Sequence, residues 1–143
     1  MRQVAVLHGG GRVCVLQPRA SKPTHFAMTI ERYEVGPRMS QAVVHRGIAY
    51  LAGIVADDLV PSVGEQTQQI LAKIDRLLAT VRSDKTQILK ANIWLSDIRR
   101  FDEMNAAWEA WVPKGNPPAR ATVEARLAGP GYLVEIMVEA VVP

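Results

Sequence analysis

The alternation in residues 132–142 constrains this chain more than any other feature. Val134, Ile136, Val138, Ala140 and Val142 make one face of an extended segment, and Leu133, Glu135, Met137, Glu139 and Val141 make the other, because successive side chains of a strand point to opposite sides. Both faces are partly apolar, so this strand has to lie inside a sheet that is covered on both sides. A chain of 143 residues has room for about one core of ordinary size. One face can be covered by the chain's own helices, and the other needs something else.

Two helices are legible. Ser62-Val63-Gly64-Glu65 has the S-x-x-E spacing of a capping box, in which a serine hydroxyl and a glutamate satisfy free backbone N–H groups at a helix start. Ile70, Leu71, Ile74, Leu77, Leu78 and Val81 then form one stripe at the 3.6-residue period, opposite Gln68, Gln69, Lys73, Asp75 and Arg76. A second helix is predicted from about Arg99 to Trp111, with Phe101, Met104, Trp108 and Trp111 on one stripe and Pro113 as its stop. Those aromatics read as core first and ligand contacts second.

The remaining segments read as strands. Residues 41–44 and 48–53 flank His45-Arg46-Gly47, a hairpin in which Gly47 supplies a positive φ. Residues 88–96 place Leu89, Ala91, Ile93 and Leu95 on one face and Lys90, Asn92 and Trp94 on the other, and a further strand covers residues 121–124. The order β, β, α, β, α, β, β predicts an α/β (α+β) domain, a single mixed sheet with two helices packed on one face. Trp94, Leu133, Met137 and Val141 are left on the other face. An apolar surface of that kind on a small domain marks association, so a closed homo-oligomer formed through the sheet is expected.

Charge is unevenly placed. The chain has 17 basic and 14 acidic residues, but Arg2, Arg12, Arg19 and Lys22 precede Met28 and no acid does, so 13 basic residues face 14 acidic ones from there on. That balance speaks against nucleic-acid binding, which needs a clustered basic face. Residues 1–27, with a Gly triplet and no sustained period, read as a poorly ordered extension before a domain spanning residues 28–143; an Arg-rich, acid-poor targeting peptide is the alternative. Cys14 is the only cysteine; an intramolecular disulfide is ruled out, and a reducing, cytoplasmic setting fits. No stretch approaches the roughly 18 consecutive apolar residues of a membrane-spanning helix.

The motifs narrow the chemistry. His8-Gly9-Gly10-Gly11 has the look of an esterase oxyanion loop, but no G-x-S-x-G accompanies it. Beyond residue 27 there is one histidine, His45, read as solvated in its turn, and no metal-ligand spacing or phosphate loop. No metal and no cofactor are expected, and carboxylate acid/base chemistry anchored by arginine remains. In residues 116–124 a Pro117-Pro118 pair leads Arg120 to the mouth of a strand. A guanidinium held there either grips a substrate carboxylate through two parallel hydrogen bonds or makes a surface or interface salt bridge. Glu135 is either a solvated strand carboxylate or, if its face is covered by a neighbouring subunit, a group suited to proton exchange; Glu139 is a weaker candidate.

Taken together, Gly36-Pro37 to Ser40-Gln41-Ala42, Tyr50-Leu51-Ala52-Gly53, Glu65-Gln66-Thr67, Asn105, Pro118-Ala119-Arg120 and Val134-Glu135-Ile136 resemble the Rid (YjgF) family in order and spacing, over about residues 28–143. The resemblance implies a chorismate-mutase-like fold and a homotrimer with three clefts between subunits. For the deaminase branch it implies hydrolysis of 2-imino or 2-enamino acids to 2-keto acids and ammonia without metal or organic cofactor. Arg120 then matches the arginine that binds the substrate carboxylate and Glu135 the glutamate tied to water activation, while Asn105 and Gly53 match cleft positions. The chain also departs from the pattern. Gly36-Pro37-Arg38-Met39-Ser40-Gln41 stands where deaminase members have Gly-Pro-Tyr-Ser-Gln, Ile54 follows Gly53 where glutamine is usual, and Thr122 stands where some members have cysteine. Arg38, Ser40 and Thr122 therefore join the expected substrate-binding set. The alternatives are a trimeric protein that binds or senses carboxylate metabolites without turning them over and, less favoured, an endoribonuclease.

Overall fold

A computed structural model describes residues 29–143. The extension, Cys14 and the His8–Gly11 run lie outside the described residues. Seven strands form one sheet: β1 Glu31–Val35, β2 Ser40–His45, β3 Ile48–Leu51, β4 Ile54–Val55, β5 Ile88–Leu95, β6 Ala119–Glu124 and β7 Val134–Val141. Across the sheet they run β1-β2-β3-β7-β5-β6, with β4 also paired to β7. Only β5 and β6 are parallel, joined through helix α2 (Phe101–Trp111); helix α1 (Val63–Thr80) connects β4 to β5. The expected mixed sheet with two helices on one face is what forms.

The segment that alternates most strongly lies at the centre. Val134, Ile136, Val138 and Ala140 of β7 are at most 1% exposed, beneath α1 residues Ile70, Ile74, Leu77 and Leu78. Hairpin β2–β3 turns on Arg46 and Gly47, both with positive φ (51° and 74°), as a two-residue type I′ turn requires. His45 is correspondingly the last residue of β2, paired with Ile48, and its Nδ1 is buried without a partner among the described residues. The solvated turn position expected for it is therefore wrong, because the tight turn needs only two residues. β1 left no trace in the periodicity, since of its residues only Tyr33 is partly buried and a charged edge strand has no apolar face to alternate.

One strand face also differs from its sequence pattern. The β5–β7 register shifts between Ile88 and Lys90, so Leu89 is 48% exposed while Ile88, Ala91, Ile93 and Leu95 are buried. A bulge adds one residue to one strand and reverses the facing of the residues beyond it, so Leu89 lies outside the core stripe to which the alternation assigned it.

The helices are tied to the sheet through polar contacts. Ser62 caps α1 by accepting from the Glu65 N–H at 3.2 Å. Gln66 is fully buried: its Nε2 donates to the carbonyls of Val60 (2.8 Å) and Gly131 (2.9 Å), and its Oε1 accepts from Leu133 N–H (3.0 Å). One amide thus satisfies three backbone groups on the two loops that lead into α1 and β7. Ahead of α2, a 3₁₀ turn over Ile98–Arg100 is capped by Asp97, whose carboxyl is held down at about 2 by hydrogen bonds from the Arg99 side chain and backbone.

Two measurements check these contacts. Gln66→Met keeps the volume but orphans three buried backbone groups, so chemical denaturation should show a loss of about 3 kcal/mol, whereas Gln68→Met on the exposed side should stay within about 0.5 kcal/mol. Asp97 is depressed in the folded state, so its stabilisation is present above the unfolded carboxylate value of about 4 and fades as pH falls toward 2. Asp97→Asn should flatten the acid limb of a Tm-against-pH curve in that window.

Candidate active site

β6 presents Arg120 and Thr122 to the helix side, because they pair with Ala91 and Ile93, two core residues of β5. Arg120 Nη1 donates to Asn105 Oδ1 on α2 at 2.9 Å. Its guanidinium carbon lies 5.7 Å from the Phe101 ring centre and 5.3 Å from that of Trp108, within cation–π range of both. The stripe that packs α2 on the core thus also brackets the guanidinium. Phe101 and Trp108 are expected from sequence to be core; Met104 and Trp108 do fill it, while the ring contacts depend on where β6 lies and have no sequence signal.

No carboxylate among the described residues pairs with Arg120. Arg76, Arg99 and Arg100 each have one, in Glu34, Asp97 and Glu103. Among the described residues the salt-bridge alternative has no partner to realise it. Beside Arg120, the Thr122 Oγ1 is buried and has no hydrogen-bond partner among the described residues.

Glu135 lies on the other side of the sheet. In β7 it pairs with Trp94 and Val55, and Trp94 pairs with Val123, so Val123, Trp94, Glu135 and Val55 form one row across the face without helices. Its carboxylate is placed by a second bulge. Tyr50 faces Glu139 in the β3–β7 register, while Ile54 faces Ile136; continued inward, both registers set Ala52 and Gly53 opposite the single residue Met137. The extra residue brings the Gly53 backbone against Glu135, and a Cβ at position 53 would overlap the carboxylate oxygen and stand 3.0 Å from its carbon. Glycine leaves room for the carboxylate in this position, and it is the space rather than a positive φ that matters.

The expected site residues fall into two groups. Arg120, Asn105 and Thr122 gather where β6 meets α2. Glu135 and Gly53 gather on the open face; Ser40, at the start of β2, shares the parity of the buried Ala42 and Val44 and so faces the helix side, and Arg38 lies exposed just before it. Strands β3, β7 and β5 separate Ser40 from Arg120, roughly 19 Å at the usual interstrand spacing. Arg120 faces the helix side and Glu135 the open side, so a single protomer does not bring them into one cleft. A concavity of about 760 Å³ beside the β6–β7 loop, bounded by Ser96, Glu124, Arg126 and Tyr132, contains neither. Among the described residues, no cluster of three or more His, Cys, Asp or Glu is placed to hold a metal ion, and no helix is long and apolar enough to cross a membrane.

Residues 29–142 match the family described as Endoribonuclease L-PSP. The RutC family protein YoaB of Escherichia coli is 44% identical over 115 residues, covering 80% of this chain and all of that one. The crystal structure of a YjgF family member from Neisseria meningitidis superposes with a TM-score of 0.79 at 46% identity, covering 81% of this chain and 97% of the other. A Bos taurus protein named 2-iminobutanoate/2-iminopropanoate deaminase is 33% identical over 113 residues, covering 75% of this chain and 81% of that one.

Gly53→Ala should leave the fold intact and displace the Glu135 carboxylate. A crystal structure of the variant with the Glu135 rotamer unchanged would contradict the spatial role given to this glycine.

Proposed function

This chain belongs to the endoribonuclease L-PSP family, the group of the YjgF and RutC proteins, and we propose that it hydrolyses reactive 2-imino or 2-enamino acids to 2-keto acids and ammonia. The observation that carries the proposal is the guanidinium of Arg120, held by an amide beside two rings and neutralised by no carboxylate among the described residues. A buried or half-buried cation held in one place without a counter-ion is a receptor for an anion. The rings lie within cation–π reach of the guanidinium, and a substrate carboxylate would meet the N–H groups that Asn105 does not use. The name of the bovine relative supports the reaction class.

The chemistry proceeds from that anchor. Arg120 holds the carboxylate, which fixes the adjacent C2 carbon. Glu135 takes a proton from water as the water oxygen bonds to C2 and the C=N π bond opens onto nitrogen. That proton passes to the nitrogen to give an amino alcohol; a second proton then moves from its hydroxyl to the amino nitrogen through Glu135, the C–N bond breaks as C=O re-forms, and ammonia leaves. Water supplies the ketone oxygen, and no electrons are exchanged with any other group. The Thr122 hydroxyl, two residues along the strand from the anchor, is buried and has no hydrogen-bond partner among the described residues.

The two halves of this site need a second copy. In the proposed homotrimer, each protomer lays its β6 edge with Arg120 against the open face of the next, which carries Glu135. Tyr50 and Val123, 45% and 50% exposed on that face, and the half-buried Trp94 and Met137 beside them would be covered there.

Imino acids generated in place by an amino-acid oxidase provide the assay. Arg120→Ala and Glu135→Gln should each lower keto-acid formation by about a hundredfold or more while leaving the oligomer intact. Co-expressing the two variants should restore about a quarter of wild-type activity, because each shared cleft takes one residue from each neighbour. Activity that survives both changes would remove the mechanism, and a failure to complement would remove the shared cleft. Carboxylate binding without turnover would make the protein a binding module, the reading that Arg38-Met39 in place of the tyrosine favours.

A further inference from the structure

Arg120 is held by an amide, and that amide is itself held. Asn105 Oδ1 accepts from Arg120 Nη1 at 2.9 Å, while its Nδ2 donates to Glu109 Oε1 at 2.8 Å, one turn further along α2. An asparagine amide has one accepting and one donating end, and a guanidinium only donates. If the amide turned over, N–H groups would face N–H groups and the contact would become repulsive. An ionised Glu109 only accepts, so it can engage only the nitrogen end and thereby directs the oxygen end to Arg120. No ion pair among the described residues joins Glu109 or any other acid to Arg120. A carboxylate bonded directly would orient the guanidinium equally well but would neutralise it and compete with an anionic substrate. The neutral amide passes on the orientation and leaves the charge available.

We propose that Glu109 is a positioning residue for the carboxylate anchor, acting through Asn105 to keep the Arg120 guanidinium oriented while unneutralised. The proposal rests on the reading of Arg120 as the substrate's anchor. It also revises the sequence-based role of Asn105, whose amide is committed at both ends within the protomer and orients the anchor instead of binding substrate.

Three variants of the full chain test it, with KM, kcat and Tm measured in the imino-acid assay and Arg120→Ala as reference. Glu109→Ala frees the amide to turn and should raise KM about fivefold, the worth of one hydrogen bond, with kcat held within about twofold, since what is lost is binding common to ground and transition states. Glu109→Gln retains an accepting oxygen and should restore wild-type KM. Glu109→Lys can only donate, draws Oδ1 away from Arg120, and should raise KM more than the alanine variant. Glu109 is exposed, so Tm should move little in any of them. An unchanged KM in Glu109→Ala beside a raised one in Arg120→Ala would overturn this proposal alone. An unchanged KM in Arg120→Ala would overturn the anchor reading and this proposal with it. A fall in Tm with KM and kcat both impaired, equally in the glutamine and alanine variants, would reduce Glu109 to helix support and overturn the proposal.

Discussion

A central strand with two apolar faces, β7, is the element on which the rest of the molecule depends. Its inner residues, Val134 to Ala140, are covered by α1 and completely buried. Its outer residues, Glu135, Met137, Glu139 and Val141, are only half-covered. Because successive side chains must alternate, one strand cannot build the core without also presenting this second face. The sheet is therefore finished on one side and unfinished on the other, and the acidic candidate lies on the unfinished side.

The two sides are prepared by different means. On the helix side, side chains position Arg120: an amide directs one N–H, and two rings lie within cation–π reach of the guanidinium. On the open side the backbone positions Glu135, through a bulge that adds a residue to the strand and a glycine that leaves room for a carboxylate. Arginine is long and flexible, and ordering it takes several contacts. Glutamate on a rigid strand mainly needs space. The buried Gln66 amide links the loops leading into α1 and β7 and so keeps both the helix layer and the Glu135 strand in register. Glu65-Gln66-Thr67 carried part of the family resemblance, and the structure supplies the physical reason: Gln66 and Thr67 are both fully buried and both bonded to backbone carbonyls.

Much of the fold was legible because burial leaves a periodic trace. The α1 stripe, the Ser62 cap, the β2–β3 turn and the inner face of β7 follow from hydrophobic spacing and turn chemistry. Features without an apolar face left no trace. β1 is an exposed edge, and the bulges at Leu89 and at Ala52–Gly53 are shifts by one residue that alternation cannot register. His45 was placed in the turn for a related reason, since composition shows that a turn is present but not that it needs only Arg46 and Gly47.

The site divides the same way. Sequence by itself determined which side chains are candidates for chemistry, an arginine behind two prolines and a glutamate on the outer face of the last strand, because residue type and strand parity are local properties. Only the tertiary structure decided that these two lie on opposite faces of one sheet, that Phe101 and Trp108 flank the arginine, and that Asn105 is committed to it. Those facts depend on strand order, on β6 lying beside β5 under α2, and on the register among β4, β5 and β7. Strand order and register are set by packing between segments distant in the chain, and no local pattern encodes them.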